Sequence, residues 1–257
     1  MKQIIVVFFI LSFFSCKTTT VAPPVTDSDP LKTDLVLHLP FSGSANDVSG
    51  NAIHGTPANT TLVKDRFDRD TQAYSFNGTS SAIIFNDSPI LDSLTKDITI
   101  AFWMKAVPFS PGGYDAYTLL SKRDYTIPDY PIHFQVHLDV NHILFYAQAG
   151  PDPFQRFAPD TNSYSAVADS QWHLIVITHR FNDTTKTSLF IDGVETPGSW
   201  IATSSPFLGP AMVGSSYLMI GKQEISGGEW FYDGAIDEVR IYRRMISLLE
   251  ITTLLTR

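Results

Sequence analysis

Short apolar runs separated by turn-forming clusters are the feature that most constrains what this chain can fold into. From residue 34 to residue 244, β-branched and aromatic residues alternate with clusters of Gly, Asn, Asp, Pro and Ser, a pattern typical of short strands. The runs lie at 35–41, 73–76, 81–85, 98–106, 132–138, 143–148, 172–181, 188–191, 194–196, 217–221 and 234–243. No repeat of fixed period and no second linker divides them. The sequence therefore predicts an all-β domain, a two-sheet antiparallel jelly-roll sandwich.

Turn residues and periodicity predict how some of these elements are arranged. Asn-Gly at 77–78 and Asp-Gly at 192–193 each separate two strand runs and predict tight hairpins, and the turn at 139–141 predicts a third. The run 98–106 is apolar on both faces, which predicts an inner strand. Ser-Leu-Leu-Glu at 247–250 is a capping box ahead of apolar residues at helical spacing. A short C-terminal helix is therefore expected to pack over one end of the sandwich.

The N-terminal segment is typical of an export signal. Residues 4–14 form an apolar run of the length found in signal peptides, too short to span a bilayer comfortably. Cys16, the one cysteine of the chain, follows directly. The Phe-Phe-Ser-Cys run at 13–16 resembles a bacterial lipobox, and that resemblance implies lipidation of Cys16. The alternative is an ordinary cleaved signal peptide followed by an incidental cysteine.

These features divide the chain into three parts. We expect a signal peptide over residues 1–15, a lipid-anchored flexible linker over 16–32 and the jelly-roll domain over 33–257. The linker is rich in Thr and Pro and too poor in large apolar residues to bury a core. The expected location is the bacterial envelope, with the protein exported as a lipoprotein that contacts the membrane only through its anchor. Whether it faces the periplasm or the cell surface stays open.

Charge and cysteine content exclude several classes of protein. The 26 acidic and 18 basic residues give a net charge of -8, which argues against a nucleic-acid partner. A single cysteine excludes a disulfide scaffold, a cysteine-based zinc site and a CxxC redox site. The acidic balance is compatible with calcium or with neutral glycans but establishes neither.

Eight stretches of the predicted domain together form a recognisable ordered set. They are LVLHLPF at 35–41, ANDVSGNAIHG at 45–55, YSFNG at 74–78, ITIAFW at 98–103, WHLIVIT at 172–178, LFIDG at 189–193, LMIG at 218–221 and GAIDEVRIY at 234–242. In this order and spacing they resemble the laminin-G-like, concanavalin A-like lectin/glucanase domains of bacterial envelope proteins. The resemblance covers about residues 33–257 and implies the jelly-roll fold. It does not specify a function, because one fold hosts lectins, glucanases and adhesion modules.

Asp237 and the loop at 46–51 are the polar elements with the clearest metal-binding character. The loop offers several side-chain oxygens around a glycine, and Ca²⁺ prefers oxygen ligands. Asp237 shares strand parity with Val239 and Ile241, so without a bulge it would point at the apolar face, where a carboxylate needs a partner. An alternative is that Asp237 accepts hydrogen bonds from backbone N–H groups without a metal.

The family resemblance implies a calcium ion between the first and last strands. On this basis we predict one structural Ca²⁺ held by Asp47, Asn51 and Asp237, with backbone oxygens near His54 completing its shell.

Aromatic residues in loops are candidates for stacking on sugar rings, since a flat ring offers a large contact area at low entropic cost. Trp103 and Trp172 lie inside strand runs and are predicted to be core residues. The predicted ligand-binding residues lie in loop-like stretches and are Trp200, Trp230, Tyr232 and Tyr114.

The sequence gives little support for catalysis. The glucanase relatives carry Glu-x-Asp-x-x-Glu, and the nearest match here, residues 224–229, has Ser226 in place of the aspartate and two glycines that break the strand. We therefore predict no catalytic residues and a non-catalytic carbohydrate-binding module. One alternative is a protein–protein interaction or structural module with an envelope protein partner. A less favoured alternative is a divergent glycoside hydrolase.

Overall fold

The computed structural model describes residues 29–108, 116–123, 132–147, 155–201, 211–225 and 228–257. Cys16 and Tyr114 lie outside the described residues, as does the predicted signal peptide. The first nine strands are β1 Leu35–Leu39, β2 Thr56–Ala58, β3 Thr61–Val63, β4 Ala73–Asn77, β5 Ala82–Phe85, β6 Asp97–Ala106, β7 Ala116–Arg123, β8 Ile132–Asp139 and β9 Ile143–Ala147. The remaining strands are β10 Arg156–Pro159, β11 His173–Arg180, β12 Asp183–Ile191, β13 Val194–Thr196, β14 Gly198–Ile201, β15 Leu218–Ile220, β16 Lys222–Ile225, β17 Gly228–Phe231 and β18 Asp233–Tyr242. The helices are α1 Pro89–Asp92 and α2 Leu248–Leu255, and a 3₁₀ turn covers Pro30–Lys32.

Two antiparallel sheets form the body, which confirms the predicted sandwich. Sheet A has the order β13-β12-β11-β6-β18-β4-β3, and β1 also pairs with β18. Sheet B has the order β14-β10-β9-β8-β7-β15-β5-β2. The hairpin β16-β17 pairs outside both sheets. The predicted inner strand, β6, lies between β11 and β18 and is buried along almost its whole length.

The main core lies between the two sheets. Its side chains come from alternate positions of strands in both sheets, because successive residues of a strand point to opposite faces. Fully buried aromatic members include Phe41, Phe85, Phe102, Phe134 and Phe145. At about 25 cal/mol per Å² of buried apolar surface, this cluster supplies the main drive for folding.

A second apolar cluster covers part of the outer face of sheet A. Trp103, Leu174 and Phe190 point away from the main core and pack against Ile251 and Leu254 of α2. The helix starts at the predicted capping box, in which the Ser247 hydroxyl and the Glu250 carboxylate each bond the other's backbone N–H. The helix therefore covers a sheet face, whereas the sequence suggested that it would cover one end.

The domain begins before residue 33. Leu31, in the 3₁₀ turn at Pro30–Lys32, is 1% exposed and packs in the same cluster as α2. Arg257 forms an ion pair with Asp29, the residue before this turn, with 2.7 Å between Nη1 and Oδ2. Residues 29–32 of the predicted linker thus belong to the fold. No helix in the described ranges is long and apolar enough to cross a membrane.

Two predicted hairpins form and one does not. β12 and β13 pair across 192–193, where Asp192 and Gly193 have φ values of 50° and 78°, as a type I′ turn requires. β8 and β9 pair across 139–141. The Asn-Gly at 77–78 is different, because β4 pairs with β18 in sheet A while β5 pairs with β15 in sheet B. That turn carries the chain from one sheet to the other.

A β-bulge in β18 reverses the predicted orientation of Asp237. The register of β18 against β6 shifts between Asp237 and Arg240, and Glu238 adopts a φ of 51°. Ile236 and Val239 therefore both face the main core, although they are three residues apart. Asp237 points to the outer face of sheet A, opposite Trp103 of β6.

Candidate functional site

A cavity of about 600 Å³ opens on the outer face of sheet A, beside the area that α2 covers. We call it the groove. Its volume lies within the range of about 300–1,000 Å³ that is usual for small-ligand sites.

One row of paired residues forms the floor of the groove. Ser75 of β4 lies opposite Ala235 of β18, which in turn lies opposite Lys105 of β6. Because paired residues point to the same face, all three side chains face outward. Ser75 and Ala235 are small and leave a depression, and Lys105 is exposed at its side.

The segment after β3 forms one wall of the groove. Asp65 is 3% exposed, and its Oδ1 accepts hydrogen bonds from the backbone N–H groups of Phe67 and Arg69, both at 2.9 Å. The Arg69 guanidinium donates to the Asp65 Oδ2 at 2.6 Å. These bonds hold the segment in a turn and direct Arg66 toward the sheet, where its guanidinium carbon lies 4.6 Å from the centre of the Trp103 ring.

Arg66 and Asp237 form a buried ion pair next to the groove. Arg66 Nη1 lies 2.9 Å from Asp237 Oδ2, and the two side chains are 5% and 1% exposed. Asp237 also accepts a hydrogen bond from the backbone N–H of Glu238 at 2.8 Å. Burial and the neighbouring Glu238 carboxylate raise the pKa of Asp237 to about 7, against the attraction of Arg66.

Glu238 continues this network toward β1. Its Oε2 lies 2.9 Å from His38 Nε2 and 2.8 Å from Arg240 Nη2. Burial opposes ionisation of Glu238, but the hydrogen bond from His38 and the charge of Arg240 lower its pKa to about 2. The bulge thus directs two adjacent carboxylates to two different cationic partners.

The opposite wall of the groove carries an indole ring and an amide. Trp172 precedes β11 and is half-buried, and Gln171 lies beside it on the cavity lining. Trp172 was predicted to be a core residue, but it closes the side of an open groove. It packs only partly against the cluster below α2.

Three charged side chains on the cavity lining, Lys105, Asp233 and Asp68, have no side-chain partner among the described residues. None of the three makes a side-chain hydrogen bond or ion pair in the described part of the chain. Burial raises the pKa of Asp233. The groove therefore offers an aromatic wall, an ammonium, a carboxyl and an amide, which are the groups that bind a polar ligand with an apolar ring face.

Asp47, the first predicted calcium ligand, has all its acceptor positions in use. Its Oδ1 accepts from the N–H groups of His38 at 3.0 Å and Ser49 at 2.8 Å. Its Oδ2 accepts from the Ser49 hydroxyl at 2.8 Å and from the Ile53 N–H at 3.1 Å. A carboxylate has about four acceptor sites, so no lone pair of Asp47 points to an unfilled position.

The other predicted ligands are engaged elsewhere. Asn51 donates its amide to the backbone oxygen of Val36 at 2.9 Å, and His54 Nδ1 accepts from the Asp47 N–H at 3.2 Å. Asp237 is paired with Arg66. Within the described ranges, no group of three or more His, Cys, Asp or Glu side chains could hold a metal ion. The four residues in this arrangement do not fit the predicted calcium site, because N–H donors and a guanidinium already satisfy the two carboxylates.

The predicted ligand-binding aromatics have different environments. Trp200 lies in the edge strand β14, donates Nε1–H to Thr187 Oγ1 at 3.0 Å and packs against Phe157, with 6.0 Å between the ring centres. Tyr232 is 0% exposed and meets Tyr117 edge-on at 5.7 Å. The Tyr232 ring belongs to the packed interior and is unavailable for stacking on a ligand, whereas Trp200 is half-buried and packs against the edge of the main core. Trp200 was predicted as a loop residue because the short strand β14, which begins at a glycine, resembles a loop in sequence, and Tyr232 lies in the connection between β17 and β18.

Trp230 is the described member of the predicted set that presents its ring to solvent. It lies on the hairpin β16-β17, is 40% exposed and meets the buried His137 ring at 5.5 Å. It does not line the groove.

Sequence reasoning missed the groove and Lys105. The signal that was present is the pair of small residues, Ser75 and Ala235, at outward positions of neighbouring strands. Only the pairing of β4 with β18, which are far apart in sequence, shows that they lie side by side.

The sequence profile described as the concanavalin A-like lectin/glucanases superfamily matches residues 77–252. A search of curated proteins found no match.

Solved structures confirm the fold. The binding domain of Paraclostridial Mosquitocidal Protein 1 aligns with a TM-score of 0.60 at 17% identity, covering 88% of this chain and 52% of that one. The ligand-binding domain of botulinum neurotoxin serotype D, in complex with N-acetylneuraminic acid, aligns with a TM-score of 0.60 at 14% identity, covering 88% and 51%. The binding domain of botulinum neurotoxin DC, in complex with rat synaptotagmin II, gives 0.55 at 14%, covering 87% and 51%. The chain spans about half the length of each of these structures, which are binding domains.

Proposed function

Because the chain belongs to the concanavalin A-like lectin/glucanases superfamily, we propose that it is a non-catalytic binding module whose groove takes a carbohydrate. The observation that carries the proposal is the composition of the groove. The Trp172 ring forms one wall, and Lys105 and Asp233 have no described partner.

A sugar-binding site needs both an aromatic ring and polar side chains. The axial hydrogens of a pyranose ring form an apolar face that packs on an indole, and its hydroxyls require donors and acceptors around the rim. The groove supplies donors from Lys105 and Gln171 and an acceptor from Asp233. Two of the similar solved structures were determined with N-acetylneuraminic acid and with rat synaptotagmin II, which supports glycan or protein ligands in general.

Replacing Trp172 with alanine is expected to weaken glycan binding about tenfold. Stacking on an aromatic ring contributes about 0.5–1.5 kcal/mol beyond the area it buries, and 1.4 kcal/mol is a factor of ten in affinity. The measurement is binding of the protein to a panel of neutral and acidic glycans, followed by titration of the best ligand.

The matched control is Trp230→Ala, which removes an exposed indole outside the groove and should leave the affinity unchanged. Circular dichroism must show that both variants are folded. Loss of binding with Trp230→Ala and not with Trp172→Ala would place the site on the β16-β17 hairpin instead. A folded protein that binds no glycan would favour a protein ligand, as in an envelope assembly.

We also propose that the module is displayed on the bacterial envelope as a lipoprotein anchored through Cys16. Cys16 lies thirteen positions before Asp29, whose side chain caps the 3₁₀ turn at Pro30–Lys32, so the proposed anchor is close in sequence to the domain. Expression of Cys16→Ser in the native host should move the protein from the membrane fraction to the soluble or secreted fraction. An unchanged membrane fraction would contradict the anchor.

A further inference from the structure

Lys122 is a completely buried cation in β7, with 0% of its side chain exposed. Its Nζ lies 3.0 Å from Asp87 Oδ1 and 3.0 Å from Asp92 Oδ1. Two backbone oxygens complete the environment, Ser216 O at 2.8 Å and Gly214 O at 3.5 Å. A lysine is almost never fully buried unless it is paired, and here four oxygens surround one ammonium.

The ammonium joins four separate pieces of the chain. Lys122 belongs to β7, Asp87 follows β5, and Asp92 ends α1. Ser216 and Gly214 lie in the segment that precedes β15. One charge therefore holds the connection after β5, helix α1 and the approach to β15 against sheet B.

The same carboxylate and carbonyl oxygens would suit a calcium ion as ligands. Calcium takes carboxylate and backbone carbonyl oxygens at about 2.3–2.6 Å and fills its remaining positions with water. Ser216 O and Asp87 Oδ1 accept hydrogen bonds from Lys122 Nζ at 2.8 Å and 3.0 Å, which are usual distances for charge-assisted N–H···O bonds. Asp92 Oδ1 makes an ion pair at 3.0 Å without hydrogen-bond geometry. Asp87 and Asp92 are 31% and 29% exposed, so water could reach a metal held by them.

This cluster borders the loop for which the family resemblance implied calcium. Asp87 lines a cavity of about 360 Å³ together with Asn51 and His54, two of the predicted calcium residues. The predicted set itself does not fit a metal, since Asp47 is saturated and Asp237 is paired with Arg66.

We propose that the ammonium of Lys122 is a covalently attached cation that supplies the positive charge a bound metal ion would otherwise supply among these four oxygens. The fold is therefore independent of calcium, and removal of the ammonium leaves a divalent-cation site formed by Asp87, Asp92 and the carbonyls of Gly214 and Ser216. This assignment does not depend on whether the groove binds a carbohydrate.

The test compares the full chain with its Lys122→Ala variant during thermal unfolding, in EDTA and in excess calcium chloride. The wild-type Tm should be the same in both solutions. The variant should melt at a lower temperature in EDTA, and calcium should raise its Tm in a saturable way, with one ion bound per chain by isothermal titration calorimetry.

Two further variants show where the ion binds. Lys186→Ala removes an exposed lysine that lies outside the groove and should not respond to calcium. Lys122→Ala combined with Asp87→Ala should lose the calcium response, because one of the two carboxylates is gone.

Three outcomes would overturn the proposal. The first is a wild-type Tm that falls in EDTA, since the protein would then depend on a metal in spite of Lys122. The second is a Lys122→Ala variant that folds and shows no more calcium response than the wild type. The third is a variant that remains unfolded after refolding in excess calcium, because the ion would then have failed to replace the ammonium.

Discussion

The Asp47→Ala variant should be less stable than the wild type by about 3–5 kcal/mol. Asp47 is 7% exposed, and its carboxylate accepts four hydrogen bonds, one from His38 of β1 and three from the loop that follows β1. Removal of the carboxylate leaves the N–H groups of His38, Ser49 and Ile53 without this acceptor. Each unsatisfied buried donor costs about 1–3 kcal/mol, and partial access of water to the loop keeps the total below the simple sum.

Urea unfolding monitored by tryptophan fluorescence measures this loss. The matched control is Asp70→Ala, since the Asp70 side chain is 84% exposed and its nearest cation, Lys64 Nζ, is 4.0 Å away. Exposed pairs contribute about 0–1 kcal/mol, so the control should stay close to the wild type. Because hydrogen bonds and no metal explain the role of Asp47, the loss should be equal in calcium and in EDTA. A loss that appears only in calcium would restore the calcium interpretation of this loop.

Acid is expected to destabilise the domain strongly between about pH 6.5 and pH 4, because three histidines are buried in neutral form. Burial lowers the pKa of His133 and of His137 to about 4 and that of His179 to about 3. His137 Nε2 lies 2.9 Å from Gln223 Oε1, and His133 Nε2 lies 2.8 Å from the Leu94 carbonyl oxygen.

The direction of the change in stability with pH depends on whether the folded or the unfolded state binds more protons. In the unfolded chain a histidine takes up its proton near pH 6.5, whereas these three stay neutral in the folded state until about pH 4 or below. The unfolded state therefore binds more protons in this window, so stability falls with falling pH and is fully present above about pH 6.5. Each histidine contributes about 2–3 kcal/mol over two pH units. Asp237 acts in the opposite direction, since its raised pKa lets the folded state take up one proton near pH 7.

The measurement is the free energy of unfolding in urea at several pH values between 7.5 and 4.5. The His137→Gln variant keeps a polar side chain near Gln223 but removes one titrating group. Three histidine protons less the one that Asp237 takes up leave a net difference of two, so the pH dependence of the variant should be about half as steep. Thr79→Ala, which removes no titrating group from an exposed turn, is the control and should keep the wild-type slope. A wild-type stability that does not change between pH 7.5 and pH 5 would show that these histidines are accessible to protons in the folded state.

Features of the fold that depend on neighbours in sequence were predictable. The capping box at Ser247 and the turn at 192–193 involve groups within four residues of each other, and both form as expected. The alternation of apolar residues likewise predicted the strands of the sandwich, because a strand side chain can point only to one face or the other.

Features that depend on contacts between distant segments were predicted less well. An Asn-Gly turn looks the same in sequence whether the following strand returns to its own sheet or crosses to the other, so residues 77–78 predicted the wrong pairing. The bulge at Asp237–Glu238 adds one residue to the period of β18 and turns Asp237 to the other face. No local pattern shows such an insertion, because it arises where β18 exchanges its partner β4 for β1.

The candidate binding site shows the same difference between features set by local sequence and features set by contacts between distant segments. The amino-acid pattern alone was sufficient for the all-β class, the main strands and the C-terminal helix, since each follows from periodicity and from contacts within a few residues. The groove required β4, β18 and β6 to align so that Ser75, Ala235 and Lys105 form one row. The burial of Lys122 required oxygens from residues up to 94 positions away. Such arrangements depend on which distant surfaces pack together, and the free energy of that packing belongs to the folded chain as a whole.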